Sequence, residues 1–203
     1  MLFRSGEQQF KCFCTHLKYV AQDFAKYDGR GDSSGLQVGA WDQTQLDIVS
    51  DIVAIPEPDA SFDAIMCTEV FEHLPNPILA IKEFGRLLKG GGQLIITAPF
   101  CSLTHFAPYH YSTGFNSYFY KKHLNDADFE ILELTTNGNF FEYVAQELQR
   151  VPWVAEKYCM DRMNAMEKFS TRILLKMLER FSKKDNGSKG LLCFGYHVLA
   201  RKL

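Results

Sequence analysis

The stretch that decides the fold is residues 63–100, which read DAIMCTEVFEHLPNPILAIKEFGRLLKGGGQLIITAPF. Residues 64–67 form a short apolar run without alternation, which is typical of a parallel strand buried on both faces. The polar residues 68–73 follow at the end of this strand, which is where open α/β sheets bind ligands. The stretch therefore begins with a buried strand that leads into a candidate ligand site.

A helix and a second strand complete the unit. Asn76 can cap the helix with Pro77 in its first turn, and residues 90–92, three glycines, are predicted to stop it. Residues 94–97 then form the next apolar strand. The apolar residues that recur at helical spacing are Ile78, Ile81, Phe84 and Leu88. The pattern predicts one strand–helix–strand unit of a parallel sheet.

The rest of the chain supplies further strands. Residues 17–24 and 46–52 are predicted strands, separated by a loop at residues 28–39 that is rich in Gly, Ser and Asp. Residues 129–136 alternate as a half-exposed strand should. Residues 191–201 form a predicted final strand. We therefore expect an α/β domain with helices on both faces of the sheet.

A helical segment is expected at residues 140–181, with an interruption near Pro152. Its later helix carries a stripe of large apolar residues on one face, which we interpret as core that covers the sheet. The stripe consists of Met163, Met166, Phe169, Ile173 and Met177. We expect residues 1–203 to form a single domain in which this helical segment is an insertion.

Composition favours a cytoplasmic enzyme. The 203 residues, 46% of them hydrophobic, can bury one substantial core. The net charge of −2 provides no basic surface for nucleic acid. No apolar run approaches the ~20 residues of a membrane span, and no secretory signal begins the chain. The spacing of Cys12 and Cys14 is too tight for a metal knuckle and the other cysteines are scattered, so we predict reduced thiols and no metal site.

Residues 63–100 resemble strand 4, helix D and strand 5 of class I S-adenosylmethionine-dependent methyltransferases of the small-molecule type 11 group. The pieces that carry the resemblance are DAIMCTEVFEHL, RLLKGGG and QLIITAPF, and upstream LKYVAQDF and LDIVSDIVAIPEPDASFDAI resemble strands 2 and 3. The likeness runs from about Gly6 to the C-terminus and weakens after residue 140. It implies a three-layer Rossmann-like methyltransferase fold, mainly parallel, with an antiparallel C-terminal strand.

The resemblance also implies a site for S-adenosylmethionine. Asp23, at the end of a strand, would accept hydrogen bonds from the ribose hydroxyls, although its position alone fits a helix cap or loop residue equally well. Asp51 and Ile52 resemble the pair that holds adenine. Glu69 lies where strand 4 opens towards the methionine portion, and Glu72 is the alternative carboxylate for that position. We expect His73 to be a packing residue of this loop.

The acceptor side is predicted in residues 100–120, which contain eight aromatic residues and two histidines. This segment follows strand 5 and would cover the methyl group, which suits an apolar pocket with a few polar points. A base is needed if the acceptor is a hydroxyl. We assign His105 and His110 as candidate catalytic residues and Tyr109 and Tyr111 as candidate acceptor-binding residues.

The first residues depart from the family pattern. The family begins with a central strand and a D-x-G-x-G loop, whereas this chain begins MLFRSGEQQF, in which only Gly6 and Glu7 resemble the end of that loop. We therefore expect the chain to lack strand 1 and most of the glycine loop. Residues 1–5 can fill only part of the gap, so we expect marginal folding and weak cofactor binding, with Gly6 as the remaining contact.

The function that these observations favour is S-adenosylmethionine-dependent methyl transfer to the oxygen or nitrogen of a small molecule. Two alternatives remain. Asp23 after a strand also suits a nicotinamide-dependent oxidoreductase of Rossmann type, although the EVFEHLPNP segment and the antiparallel last strand argue against it. The incomplete glycine loop would suit a non-catalytic interaction protein that retains the fold, with residues 140–181 as its binding face.

Overall fold

The computed structural model describes residues 2–3 and 11–203. The chain divides into two compact units, of which the first comprises Met1–Thr135 with Gly195–Leu203 and the second comprises Thr136–Phe194. The first unit is an α/β layer structure and the second is helical. No helix among the described residues is long and apolar enough to cross a membrane.

The first unit is built on a sheet that contains both parallel and antiparallel pairs. Its strands are β1 (Leu2–Phe3), β2 (Ala21–Asp23), β3 (Ile48–Val49), β4 (Phe62–Thr68), β5 (Leu88–Pro99), β6 (Phe129–Asn137) and β7 (Gly195–Lys202). Their order across the sheet is β3-β2-β1-β4-β5-β7-β6. The short strand β1 therefore lies inside the sheet, between β2 and β4.

The strand directions confirm the predicted fold class. β1 to β5 are joined by parallel pairings, and in the central pair Ile65 lies opposite Leu94. The C-terminal strand β7 runs antiparallel to β5, with Leu199 opposite Ile95. Residues 64–67 and 94–97 are thus neighbouring parallel strands, as their apolar runs predict.

Helix α1 (Pro77–Leu87) joins the two central strands and begins where the sequence predicts. The side chain of Asn76 accepts a hydrogen bond from the backbone N–H of Leu79. The helix ends earlier than predicted, because Leu88 is already extended and starts β5. The three glycines at 90–92 therefore lie within the strand, beside the irregular pairing between Phe62 and Ala64, rather than in a helix stop.

Strands β2 and β3 are shorter than the apolar runs at residues 17–24 and 46–52 predict. At the ends of these strands, hydrogen bonds made by side chains connect the two segments. The carboxylate of Asp47 accepts from the backbone N–H of Ala21 at 2.7 Å, and the amide of Gln22 donates to the carbonyl of Ser50 at 2.6 Å. The two segments therefore remain joined beyond the few residues that form a regular ladder.

The second unit contains helices α3 and α4, numbered after α2 (Ser117–Asn125) of the first unit. Helix α3 (Phe140–Val154) passes through Pro152 itself, and the helical segment is interrupted a few residues beyond it, close to the predicted position. The break comes later, after a π-helical turn at Ala155–Cys159, where Met160 adopts a left-handed conformation. Asn164 then caps α4 (Ala165–Ser182) in a capping box with Glu167.

Most of the predicted apolar stripe is exposed rather than buried, although Met163 and Met177 are half-buried. Met166, Phe169 and Ile173 are 78%, 63% and 53% exposed, whereas Leu178, on another face, is buried. The prediction that this stripe forms core is therefore wrong. The helix has more than one apolar face, and helical spacing cannot indicate which face packs against a neighbour.

A carboxylate ties α1 to the segment that precedes β4. Glu83 is buried and accepts from the backbone N–H of Ile55 at 2.8 Å and from Nη2 of Arg86 at 2.7 Å. Arg86 also donates to the carbonyl of Glu57 at 2.8 Å and to the Asp59 carboxylate at 2.7 Å. The hydrogen bonds from Arg86, the largest influence, hold the pKa of Glu83 below its usual range.

Replacing Glu83 with glutamine should lower the free energy of unfolding at neutral pH by roughly 1.5–3 kcal/mol, the range for hydrogen bonds to a charged group. The pKa of Glu83 is lower in the folded state than in the unfolded state, where it is about 4.3. Its charged form therefore stabilises the fold above that unfolded pKa, and this contribution is lost as the pH falls through the folded pKa.

Urea unfolding of the wild type and of Glu83→Gln at pH 7 and below pH 4 measures this difference. We expect the gap between the two proteins to narrow at acid pH. Glu57→Gln is the matched control, because Arg86 contacts only the backbone carbonyl of Glu57. A gap that is equally wide at both pH values would contradict the assigned role of the Glu83 charge.

Candidate active site

A cavity of about 430 Å³ opens at the carboxyl ends of β2, β3 and β4. Parallel strands bring their carboxyl ends to one edge of a sheet, which is where open α/β folds bind ligands. A volume of this size lies within the range of small-molecule sites. Its walls include Asp23, Asp51, Ile52, His73, Phe106 and Tyr109.

Three of the residues predicted to bind the cofactor lie in this cavity. Asp23 ends β2, is only 4% exposed and accepts from the backbone N–H of Ala25 at 3.0 Å. Asp51 is exposed at the rim and accepts from the N–H of Val53 at 3.2 Å. Ile52 beside it is buried. The structure therefore brings a buried carboxylate, an exposed carboxylate and an apolar side chain to one wall.

Glu69 is not among the described residues that line this cavity, so its predicted role in cofactor binding stays a prediction. It is exposed, its backbone is left-handed with φ +51°, and its carboxylate accepts from the hydroxyl of Thr97 at 2.8 Å. The left-handed turn carries the chain into a short helical turn, Phe71–His73, in which Glu72 is 0% exposed. Glu72 is therefore the carboxylate that points inward.

The turn that carries Glu72 is hydrogen-bonded to the segment that follows β5. The backbone carbonyl of Glu72 accepts from the N–H of Tyr111 at 2.8 Å and from that of Ser112 at 3.2 Å. On its other side, the same segment forms a parallel bridge between His105 and Leu36. Backbone hydrogen bonds thus hold the turn that carries Glu72, at the end of β4, to the segment that follows β5.

Three histidines cluster beside Glu72. The ring centroids of His73 and His105 lie 4.6 Å apart, and those of His105 and His110 lie 4.8 Å apart. Nδ1 of His73 lies 2.5 Å from the carbonyl oxygen of Tyr109, and Nδ1 of His105 lies 2.8 Å from that of Leu103. A carbonyl oxygen only accepts, so Nδ1 of each ring carries a proton. Both Nε2 atoms then face the Glu72 carboxylate, at 3.5 and 3.6 Å.

His110 is held in the opposite tautomer. Its Nε2 lies 3.2 Å from the hydroxyl oxygen of Ser102, and that hydroxyl donates to the carbonyl of Thr113 at 3.0 Å. The single hydroxyl proton is used in that bond, so Nε2 of His110 donates and Nδ1 holds a lone pair. Burial, and then the nearby His105, lower the pKa of His110, against the opposing effect of Glu72. His110 is therefore a neutral base at neutral pH.

Aromatic side chains form much of the cavity wall. The rings of Tyr27 and Phe106 lie 4.7 Å apart, and those of Phe24 and Tyr109 lie 5.0 Å apart edge to face. Trp41 lies beside Tyr27 and lines the same cavity. Tyr109 and Tyr111, predicted on the acceptor side, both line it. Sequence analysis missed Phe24, Tyr27 and Trp41, whose only signal was aromatic residues within or beside a Gly-rich loop.

Gly6, predicted to contact the cofactor, lies outside the described residues. His105 and His110, the candidate catalytic residues, lie beside His73 at the edge of the cavity rather than on its lining. The turn that carries Glu72 thus connects the strand ends predicted to bind the methyl donor with the segment predicted to bind the acceptor.

Comparison with known proteins agrees with this geometry. The sequence profile of a methyltransferase domain family matches residues 12–96. A ubiquinone biosynthesis O-methyltransferase of Xanthomonas oryzae pv. oryzae is 38% identical over 63 residues, which cover 31% of this chain and 26% of that protein. The chain therefore aligns with about a quarter of the length of this curated relative.

Two solved structures share the fold over 99% of this chain. An S-adenosylmethionine-dependent methyltransferase from Archaeoglobus fulgidus gives a TM-score of 0.57 at 14% identity, with 84% of its own chain covered. Phosphoethanolamine N-methyltransferase 2 of Haemonchus contortus, in complex with S-adenosylmethionine, gives 0.50 at 15% identity, with 47% covered. The chain has the class I S-adenosylmethionine-dependent methyltransferase fold, and its residues 12–96 match the sequence profile of a methyltransferase domain family.

Proposed function

We propose that this chain transfers the methyl group of S-adenosylmethionine to a hydroxyl oxygen of a small-molecule acceptor. The observation that carries the proposal is the cavity at the carboxyl ends of the parallel strands, which has the buried Asp23 carboxylate in one wall and aromatic rings in the others. The similarity of 63 residues to proteins named O-methyltransferases favours oxygen as the acceptor atom.

The cavity residues fit the chemical groups of S-adenosylmethionine. Asp23 would accept hydrogen bonds from the ribose hydroxyls, as carboxylates at this position do in dinucleotide folds. Ile52 offers an apolar surface to the adenine ring, and Asp51, at the rim, can accept from its exocyclic amine.

The acceptor would enter beside the aromatic segment that follows β5. When bound, S-adenosylmethionine supplies an electrophilic methyl group and leaves as a thioether. Tyr109 and Tyr111 would hold the acceptor so that its oxygen is in line with that methyl, and alignment is the main contribution an enzyme makes to such a displacement. We assign His110 as the base that takes the hydroxyl proton, because its Nδ1 holds a lone pair.

Replacing Asp23 with asparagine should raise the dissociation constant for S-adenosylmethionine by about 10- to 100-fold, because roughly 1.5–3 kcal/mol is lost with a hydrogen bond to a charged group. Trp41 lines the cavity and reports binding through its fluorescence. Since the chain has 2 tryptophans, a Trp153→Phe background makes Trp41 the single reporter. Titration with S-adenosylmethionine then gives the constants directly.

Asp32→Asn is the matched control, because Asp32 is exposed and accepts only within its own loop. His110→Ala should leave the dissociation constant unchanged and slow methyl transfer to a phenolic acceptor, which separates proton removal from cofactor binding. An Asp23→Asn variant that binds as tightly as the wild type would remove Asp23 from the cofactor site.

A further inference from the structure

We propose that Glu72, His73 and His105 form a binding site for a divalent transition-metal ion, with Zn²⁺ as the best-fitting ion. One ligand atom from each of the three residues lies within 4.8 Å of the other two. Two of these residues are adjacent in sequence, and the third comes from the segment after β5. The spacing of these residues along the chain matches none of the common zinc motifs, so the sequence alone predicts no metal site.

The distances between donor atoms suit a tetrahedral ion. Nε2 of His73 and Nε2 of His105 lie 3.5 and 3.6 Å from the same Glu72 oxygen, Oε1. Two ligands that are each about 2.1 Å from a tetrahedral Zn²⁺ lie about 3.4 Å apart. The two measured separations are therefore already close to those of ligands that share one ion.

The surroundings of the two histidines are those of metal ligands. Each ring donates from Nδ1 to a backbone carbonyl, that of Tyr109 for His73 and that of Leu103 for His105. This hydrogen bond fixes the tautomer in which Nε2 holds the lone pair, and it is the usual outer-shell arrangement around a metal-binding histidine. The rings are thus already oriented with their lone pairs towards the carboxylate.

Backbone hydrogen bonds hold the three ligands in place before an ion arrives. The carbonyl of Glu72 accepts from the N–H of Tyr111, and His105 is fixed by its bridge to Leu36. Such rigid placement reduces the cost of ordering side chains when a ligand binds. The site is therefore organised by the fold itself rather than by flexible surface side chains.

The donor set favours a borderline ion over a hard one. Two imidazoles with one carboxylate are the protein ligands of many catalytic zinc sites, whereas Mg²⁺ and Ca²⁺ prefer sites made of oxygen ligands. Three protein ligands also leave coordination positions open. His73 lines the cavity as well as belonging to the cluster, so the site adjoins the cavity.

An oxygen of a bound acceptor could occupy one of these open positions, where the ion would lower the pKa of the hydroxyl. This consequence rests on the proposed function, whereas metal binding itself does not. The competing interpretation is that Glu72 pairs with a protonated histidine and that the cluster only packs the loop. The two interpretations differ in whether an ion binds when no cofactor or acceptor is present.

Titration of chelator-treated protein with Co²⁺ decides between them, because Co²⁺ replaces Zn²⁺ and absorbs visible light when its coordination is tetrahedral or five-coordinate. We expect a saturable visible band with a stoichiometry of one ion per chain, and competition by Zn²⁺. Glu72→Gln and His105→Ala should each weaken Co²⁺ binding by at least about 100-fold, since even outer-shell changes weaken metal sites by 10–100-fold. Circular dichroism confirms that each variant is folded.

The matched control is the combined variant Cys12→Ser, Cys14→Ser and His16→Ala, which removes a group of surface residues that could bind metal through thiolates. It should leave the visible band unchanged. The proposal is overturned if no band forms, or if the band is lost in the control and kept in Glu72→Gln. Co²⁺ binding without methyl transfer would refute the proposed function alone, and methyl transfer without metal binding would refute the metal site alone.

Discussion

Replacing Phe71 with alanine should lower the free energy of unfolding by about 3–5 kcal/mol, the usual cost of deleting a buried aromatic ring. Phe71 is 0% exposed. Its ring centroid lies 6.3 Å from that of Phe84 in α1, 6.0 Å from that of Phe115 and 6.3 Å from that of Phe119 in α2. Three segments of the chain pack against this one ring. A segment that moved to fill the cavity left by the alanine would lose its own packing contacts elsewhere.

Urea unfolding measures the loss, with Tyr118→Ala as the control because Tyr118 is an exposed aromatic residue of α2. The control should change stability by less than about 0.5 kcal/mol, as is usual for surface substitutions. Phe71 also precedes Glu72 in the same helical turn, so a folded variant should bind Co²⁺ and cofactor more weakly. A loss below about 1 kcal/mol would show that the aromatic cluster repacks.

The central unit of the fold could be predicted because its signals are local. The Asn76 cap and the Pro77 start are read from adjacent residues, and the buried parallel strands are read from apolar runs. The antiparallel direction of β7 could be predicted only through the resemblance to a family. Where short strands end depended on side-chain hydrogen bonds, such as that from Gln22 to Ser50, which a pattern of apolar residues does not contain.

The site was predictable where it depends on strand ends. Asp23, Asp51 and Ile52 follow parallel strands, whose carboxyl ends must meet at one edge. The choice between Glu69 and Glu72 depended on the left-handed backbone at Glu69, which no sequence rule foresees for a glutamate. Periodicity cannot resolve such a choice, because one residue in an unusual conformation redirects every side chain that follows.

The histidine cluster was harder to predict from the sequence than the residues at the strand ends. His73 was expected to pack within its own loop, yet its ring lies against His105, which is 32 positions away and held by a bridge to a third segment. The sequence identified His105 and His110 as residues that can act as a catalytic base. It could not tell that the Nδ1 atoms of His73 and His105 would donate to carbonyls, so that both Nε2 atoms converge on one carboxylate.

Replacing Gly31 with alanine should open the contact between the loop before β3 and the segment after β5, at a cost of about 2–5 kcal/mol. A Cβ at this position would lie 1.8 Å from the backbone oxygen of Ala107. Overpacking of this kind costs roughly 1–3 kcal/mol, and the left-handed backbone of Gly31, φ +52°, adds about 1–2 kcal/mol for a residue with a side chain. The obstructing atom belongs to the backbone, so no rotamer change relieves the overlap.

Amide hydrogen exchange locates the opening. The N–H groups of Asp32, Leu36 and Phe106 bridge the two segments and should exchange faster in Gly31→Ala. Cofactor affinity should fall with them, because the rings of Tyr27 and Phe106, one from each side, form a shared wall of the cavity. Gly39→Ala is the control that separates strain from overlap, since Gly39 also has a positive φ, +90°, but has nothing within 4 Å of the added Cβ. If both variants behave alike, backbone strain rather than the close approach to Ala107 is the limiting feature. If Gly31→Ala speeds exchange but leaves affinity unchanged, the two segments are not needed together to form the cofactor wall. If it changes neither, the predicted overlap with Ala107 is wrong.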